Sequence, residues 1–225
     1  MLFAMGRNGY AAAFAMISLF LFCAVSACRA SSSSDSRATD KAHHVFYLHG
    51  KIIEDEGADA VSPKFGPYEY RKIVKAFESR GFFVHSEVRP RNTDPVQYAK
   101  KIAKEIEKLR AGGVPSKNIG VVGASKGGVV AVRISALLKD TTLRFVILSG
   151  LFKPLLDDSG LKLYGDILSI HDRADTLPIV PEEFFKRSRG LGRHKSIVTK
   201  LDLGHGLLYR PLPEWLDPAT SWLKE

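Results

Sequence analysis

Short apolar runs recur along the chain and are separated by longer stretches of mixed polarity. Each run is mostly apolar and is bounded by glycine or polar residues, which is typical of a strand buried on both faces of a sheet. The runs predict strands at His44–Leu48, Phe82 to about Val88, Ile119–Gly123, Leu143–Leu148, Tyr164–Ile170 and Ser196–Leu201.

The stretches between these runs carry apolar residues at helical spacing. They predict helices over residues 66–80, 94–111, 126–138 and 213–225. The clearest start is Asp94 followed by Pro95, because aspartate is a favoured N-cap and proline a favoured first helical residue. Strands that alternate with amphipathic helices predict an α/β fold, in which a mostly parallel sheet lies between two layers of helices.

The N-terminal segment has a different pattern. Arg7 precedes an uncharged apolar run that extends to Ala27, the layout of an export signal peptide over residues 1–27. The run ends in Val-Ser-Ala, and Cys28 follows it. These four residues resemble the lipobox of bacterial lipoproteins, in which the cysteine carries the lipid. Residues 28–41 are serine-rich and predict a flexible tether, so residues 42–225 form the folded domain. A plain signal peptide and an uncleaved anchor remain alternatives, since the run approaches the ~20 residues that span a bilayer.

Composition narrows the classes of partner. The chain of 225 residues is 45% hydrophobic and 25% charged, which suits one soluble domain. Its net charge of +9 is spread without blocks of like charge or interleaved aromatic residues, so we expect no nucleic-acid partner. Both cysteines, Cys23 and Cys28, lie in the leader. The folded domain therefore has no disulfide, and we expect neither a metal nor a cofactor.

A serine lies between the third predicted strand and the helix after it, in Gly123-Ala-Ser125-Lys-Gly127. In such a sheet, ligands bind beyond the carboxyl ends of the strands. Glycines two residues before and after the serine allow a tight turn that exposes its hydroxyl. The alternative is an ordinary helix start with Ser125 as N-cap. The flanking strand and helix favour a nucleophile.

A carboxylate and a histidine follow two later predicted strands, so that the chain order is serine, acid, histidine. Asp175 comes shortly after the fifth predicted strand and His205 shortly after the sixth. A serine hydroxyl is a weak nucleophile until an imidazole, oriented by a carboxylate, accepts its proton. Asp172 is the rival acid. The rival bases are His171, on the strand that should supply the acid, and His194, which precedes a predicted strand.

The residues after the first two strands complete the candidate site. His49-Gly50-Lys51 follows the first strand, so the backbone N–H groups of Lys51 and Lys126 are the candidate oxyanion donors. Arg89, Arg91 and Asn92 follow the second strand and form a candidate substrate rim, with a plain hydrophilic turn as the alternative. The acidic segment from Lys51 to Phe65 is expected to be a solvated loop.

These pieces together resemble the α/β-hydrolase superfamily, in particular its compact members. The matching segments are Tyr-Leu-His-Gly at 47–50, Val-Gly-Ala-Ser-Lys-Gly-Gly at 122–128, Ser-Ile-His-Asp-Arg-Ala-Asp at 169–175 and Leu-Gly-His-Gly at 203–206. The resemblance implies a triad of Ser125, Asp175 and His205. Little room remains for the leading strands of that fold, and the segment 150–164 is too short for a cap. Lys51-Ile52 replaces the Gly-Gly that often follows the first His-Gly.

The sequence therefore predicts an exported serine hydrolase that works through an acyl-enzyme. Among the possible activities, a carboxylesterase is favoured. The expected substrate is a small-molecule or envelope-polymer ester, with an anionic one favoured if the basic rim faces the site. The membrane is contacted only through an N-terminal lipid or signal anchor. An exported peptidase or amidase of the same fold and a non-catalytic binding protein remain alternatives.

Overall fold

The computed structural model describes residues 42–177 and 179–225. The predicted signal peptide, Cys28 and the predicted serine-rich tether lie outside these ranges. The described residues form eight strands, named β1 to β8 in chain order. They are β1 (His43–Leu48), β2 (Val61–Ser62), β3 (Gly66–Pro67), β4 (Phe82–His85), β5 (Ile119–Ala124), β6 (Arg144–Leu148), β7 (Tyr164–Asp172) and β8 (Gly190–Thr199).

The main sheet contains six of these strands in the order β4-β1-β5-β6-β7-β8. Every neighbouring pair in it is parallel. The carboxyl ends of all six strands therefore lie along one edge of the sheet, where a parallel sheet places its ligand sites. The predicted parallel α/β architecture is confirmed.

The helices complete the layers on both faces of the sheet. They are α1 (Lys51–Glu56), α2 (Tyr70–Glu78), α3 (Pro95–Ala111), α4 (Lys126–Leu138), α5 (Pro181–Arg187) and α6 (Pro213–Trp222). Successive strand residues face opposite sides of a sheet. Val45 and Tyr47 share a core with α2 and α6, whereas Phe46 and Leu48 share one with α3 and α4. In the described part of the chain, no helix has the length and apolar character needed to cross a bilayer.

Several predicted boundaries differ from the structure. Gly66 and Pro67 do not start a helix, because they pair with Val61 and Ser62 in a short antiparallel hairpin. The helix after them starts only at Tyr70. β4 ends at His85 rather than near Val88, and the next residue, Ser86, turns its hydroxyl to the carbonyl of Tyr47.

Two further differences lie near the site. β8 begins at Gly190, earlier than predicted, and its middle is exposed and charged because it is an edge strand. His194 therefore lies within this strand instead of before it. The segment after Gly50 was expected to be a solvated loop, but it forms α1, which buries Ile53 and Glu54.

Candidate active site

Ser125 lies in a strained turn between β5 and α4. Its backbone has φ 51° and ψ −116°, a conformation that residues other than glycine rarely adopt. Its N–H donates to the carbonyl of Leu148 at 2.9 Å. The side chain makes no capping hydrogen bond to the helix that follows. Ser125 therefore occupies the N-cap position of α4, but its hydroxyl does not cap the helix and is left free of that role.

The two flanking glycines are required by close backbone contacts. A Cβ built on Gly127 would lie 1.9 Å from the carbonyl oxygen of Leu48, and one built on Gly123 would lie 2.4 Å from the carbonyl oxygen of Gly127. Both distances are far shorter than van der Waals contact. The elbow thus packs the start of α4 directly on the end of β1, which brings the segment after β1 beside the serine. A Cβ on Gly50 would lie 3.7 Å from Ser125 Cβ.

Asp175 and His205 meet at the same edge of the sheet. His205 Nδ1 is 2.8 Å from Asp175 Oδ2, with the His205 side chain 18% exposed and the Asp175 side chain 1% exposed. Burial alone would raise the pKa of Asp175. The hydrogen bond and charge of His205, together with the N–H of Leu177, outweigh burial and lower that pKa below the ordinary value. Asp175 is therefore an ionised partner that fixes the proton of His205 on Nδ1.

The rival acid, Asp172, is fully buried and already bonded. Its two oxygens accept hydrogen bonds from the Thr199 hydroxyl and from the backbone N–H groups of Ala174, Leu201 and Gly204. Burial would raise its pKa, but these donors lower it overall. Asp172 thus ties the loop after β7 to the loop after β8, and it is Asp175 that contacts the histidine.

Neither of the rival histidines hydrogen-bonds Asp175 in the described part of the chain; that contact is made by His205. His194 is an exposed residue of β8 that contacts the Phe185 ring. His171 is half-buried in β7, and burial lowers its pKa. Within the described residues, Ser125 Oγ makes no hydrogen bond to His205. Such looseness is common in unliganded sites, where the catalytic contacts tighten with substrate.

His49 orients the segment that carries one candidate oxyanion donor. Its Nε2 accepts the N–H of Arg89 at 2.9 Å, so the ring proton lies on Nδ1 and is donated to the carbonyl of Gly50 at 2.8 Å. The C=O and N–H of a trans peptide point in opposite directions. Because His49 holds the Gly50 carbonyl, the N–H of Lys51 is directed away from the His49 ring.

The protonation of His49 predicts a loss of stability in acid. Burial, helped by the charge of Arg89, lowers its pKa from 6.5 to about 4. As the pH falls below 6.5 the unfolded chain binds a proton that the folded chain does not, so this group favours unfolding. From it alone we expect the free energy of unfolding to fall by roughly 3 kcal/mol between pH 6.5 and pH 4.

Denaturant unfolding at both pH values measures this effect. A His49→Gln variant should be less stable at neutral pH but lose less stability on acidification than the wild type. An equal loss in the two proteins would show that His49 does not titrate as described.

The candidate substrate rim is only partly on the surface. Arg89 is 1% exposed, which corrects its expected place on the rim. It is buried because its guanidinium bonds Glu54 and the carbonyl of His49. Arg91 and Asn92 are exposed, and Arg91 donates to the carbonyl of Asp55. Sequence reasoning missed Glu54, which is the shared partner of two cations in this region.

A cavity of about 340 Å³ borders the histidine and its acid. Its walls include the apolar side chains of Phe65, Leu177 and Leu203 together with Lys64 and His205. Phe65 belongs to the turn of the β2–β3 hairpin and packs against Gly206. This hairpin therefore forms one wall of the space beside His205.

No protein-family model matches this chain, and no curated protein matches it. Solved structures match it in fold. SOBER1 from Arabidopsis thaliana has a TM-score of 0.53 at 16% identity, covering 80% of this chain and 97% of that one. A protein described as a predicted CIB-like hydrolase, from Thermoplasma acidophilum, has a TM-score of 0.54 at 13% identity, with coverages of 82% and 87%.

A third match is described as an α/β-hydrolase enzyme, from a Medee basin deep-sea metagenome library. It has a TM-score of 0.50 at 14% identity and covers 85% of this chain and 87% of that one. At such identities the likeness concerns the fold. The chain has the α/β-hydrolase fold, as its sheet order and the strand-turn-helix around Ser125 also indicate.

Proposed function

We propose that this protein is a serine hydrolase that cleaves carboxylic esters through an acyl-enzyme on Ser125. The observation that carries the proposal is the 2.8 Å contact between His205 and the buried Asp175, at the sheet edge where Ser125 occupies a strained turn. Strain at a non-glycine residue persists only where the surrounding structure enforces it, and it clusters at functional sites.

The proposed reaction has two halves. Ser125 Oγ attacks the ester carbonyl as His205 Nε2 accepts its proton, while Asp175 holds the Nδ1 proton and stabilises the imidazolium. The N–H groups of Lys51 and Lys126 donate to the oxyanion of the tetrahedral intermediate. The intermediate expels the alcohol, which takes the proton from His205. Water then attacks the acyl-enzyme with the same base and releases the acid.

The cavity beside His205 favours a small substrate group. Its volume of about 340 Å³ and its walls of Phe65, Leu177 and Leu203 suit a short apolar acyl or alcohol portion. The cations near the site are mostly held by other groups, since Lys51 pairs with Asp55, Lys126 pairs with Glu54, and Arg89 is buried against the same Glu54. We therefore propose a small ester, or an ester group on an envelope polymer, without a required anion.

Pre-steady-state kinetics on an activated ester and on its matched anilide test the proposed activity. We expect a stoichiometric burst of alcohol product with the ester, followed by slower steady turnover as the acyl-enzyme is hydrolysed. A burst with the anilide alone would favour the peptidase alternative. Binding of either compound without any release of product would favour the non-catalytic alternative.

We propose that the protein is exported and held at a membrane through Cys28. The support is the lipobox-like sequence before this residue and the polar tether after it. Replacing Cys28 with serine should move the protein from the membrane fraction to the soluble fraction, because the lipid can no longer be attached. Fractionation followed by immunoblotting measures this shift. Unchanged membrane association would point to an uncleaved anchor, and a wild type already in the soluble fraction to a plain signal peptide.

A further inference from the structure

A cluster of buried charges lies directly behind the candidate oxyanion donors. It consists of Glu54, Arg89 and Lys126, and we refer to it as the Glu54 cluster. Lys126 Nζ is 2.5 Å from Glu54 Oε1, and Arg89 Nε is 3.3 Å from Glu54 Oε2. The side chains of Glu54 and Arg89 are 0% exposed and that of Lys126 is 20% exposed.

Each member of the Glu54 cluster is attached to a segment that carries a donor. Glu54 lies in α1, one turn after Lys51. Lys126 is the residue after the nucleophile, so its own N–H is the second donor. Arg89 bonds His49 twice, through its backbone N–H to the ring and through Nη2 to the carbonyl. One carboxylate therefore links the loop after β1 to the start of α4.

A gain in stability is a weak explanation for this arrangement. Burying charges carries a large desolvation penalty, and a buried ion pair is often no better for stability than an apolar replacement. Here two cations share one carboxylate, and Arg89 Nη1 has no hydrogen-bond partner in the described part of the chain. Such a cluster fixes geometry, because a member that moves away leaves the buried charge of its partner less compensated.

We propose that Glu54 is a positioning residue for the oxyanion hole, holding the N–H groups of Lys51 and Lys126 in a fixed relation beside Ser125. This inference rests on the proposed function. An oxyanion hole works only if its donors already point at the place where negative charge develops, so small shifts lower kcat more than substrate binding. Lys126 is further fixed by a bond from its Nζ to the carbonyl of Thr93 at 2.7 Å.

A Glu54→Gln variant tests the proposal while keeping the side-chain volume. Removing one whole oxyanion donor lowers kcat about 10²- to 10³-fold. Misplacing the donors should cost less, so we expect kcat to fall about tenfold to a hundredfold with KM within about twofold. Asp55→Asn is the matched control. Asp55 is the next residue of the same helix and pairs with Lys51 at the surface, and its loss should leave kcat within about twofold.

A comparison of an ester with its thionoester separates positioning from general weakening. Sulfur is larger than oxygen and a weaker acceptor, so a well-placed oxyanion hole discriminates strongly against the thionoester. Glu54→Gln should shrink this discrimination. A folded variant with the wild-type kcat and the wild-type ratio overturns the proposal. The proposal is also overturned if kcat falls equally on both substrates, or if kcat rises because the variant has a greater net positive charge.

Lys126→Met provides a second route to the same answer. The substitution removes the contact between the partly exposed Lys126 and Glu54 but leaves Glu54 paired with Arg89. The protein should therefore fold even if Glu54→Gln does not. We expect the same fall in kcat and the same smaller discrimination. If the wild-type protein is never acylated on Ser125, the proposed function itself is wrong. Acylation with normal kcat and normal discrimination in the folded variants would remove only the positioning role of Glu54.

Discussion

Replacing Ser125 with alanine is expected to lower kcat for ester hydrolysis about 10⁶-fold. The reason is that the hydroxyl is the proposed nucleophile, and neither His205 nor the backbone donors can form the acyl-enzyme without it. The fold should survive, because alanine fits the space of serine and the hydroxyl makes no capping bond to α4. Steady-state kinetics with circular dichroism measures both quantities.

Ser221→Ala is the control for the serine variant. Ser221 is an exposed residue of α6, and its hydroxyl donates to Glu225 at 3.4 Å. We expect its kcat to equal that of the wild type. Ester hydrolysis that survives in Ser125→Ala at a similar rate would place the reaction elsewhere in the protein, or in a contaminant.

Replacing Asp175 with asparagine is expected to lower kcat about 10⁴-fold while the protein stays folded. The carboxylate accepts the Nδ1 proton of His205, which leaves Nε2 free to accept a proton from Ser125. An amide can instead donate to Nδ1 and stabilise the opposite tautomer, in which Nε2 carries the proton. The base would then be blocked without any change in its position.

Asp172→Asn is the matched comparison, three residues earlier at the end of β7. Asp172 accepts four hydrogen bonds that join the loops after β7 and β8. We therefore expect its main effect on the free energy of unfolding, a loss of about 1–3 kcal/mol, with a smaller effect on kcat than Asp175→Asn. A larger fall in kcat in Asp172→Asn than in Asp175→Asn, at equal stability, would reverse the assignment of the acid.

Much of the fold could be predicted because central parallel strands are apolar on both faces. β1, β5, β6 and β7 lie in the interior of the sheet, and the runs that predict them stand out in the sequence. The edge strands were harder. β8 exposes Arg193, His194 and Lys195, so its first half carries no apolar signal. The hairpin at Val61–Pro67 is too short for any periodicity to reveal.

The residues of the candidate site could also be predicted only in part. Ser125, Asp175 and His205 each lie shortly after a strand, so their common edge could be predicted from the order of the strands. The Glu54 cluster could not, because its members are 35 and 72 positions apart. A buried carboxylate and a solvated one look alike in a sequence until their partners are known. Arg89 was placed on the rim for that reason.

The most direct test of the central claim is the reaction of the folded protein with a fluorophosphonate probe, followed by peptide mapping. The probe forms a covalent bond only with a serine activated by a neighbouring base. The expected result is a single adduct on the peptide that contains Ser125, absent from Ser125→Ala and strongly slowed in Asp175→Asn. A folded protein that forms no adduct, or one that forms it on another serine, would contradict the account.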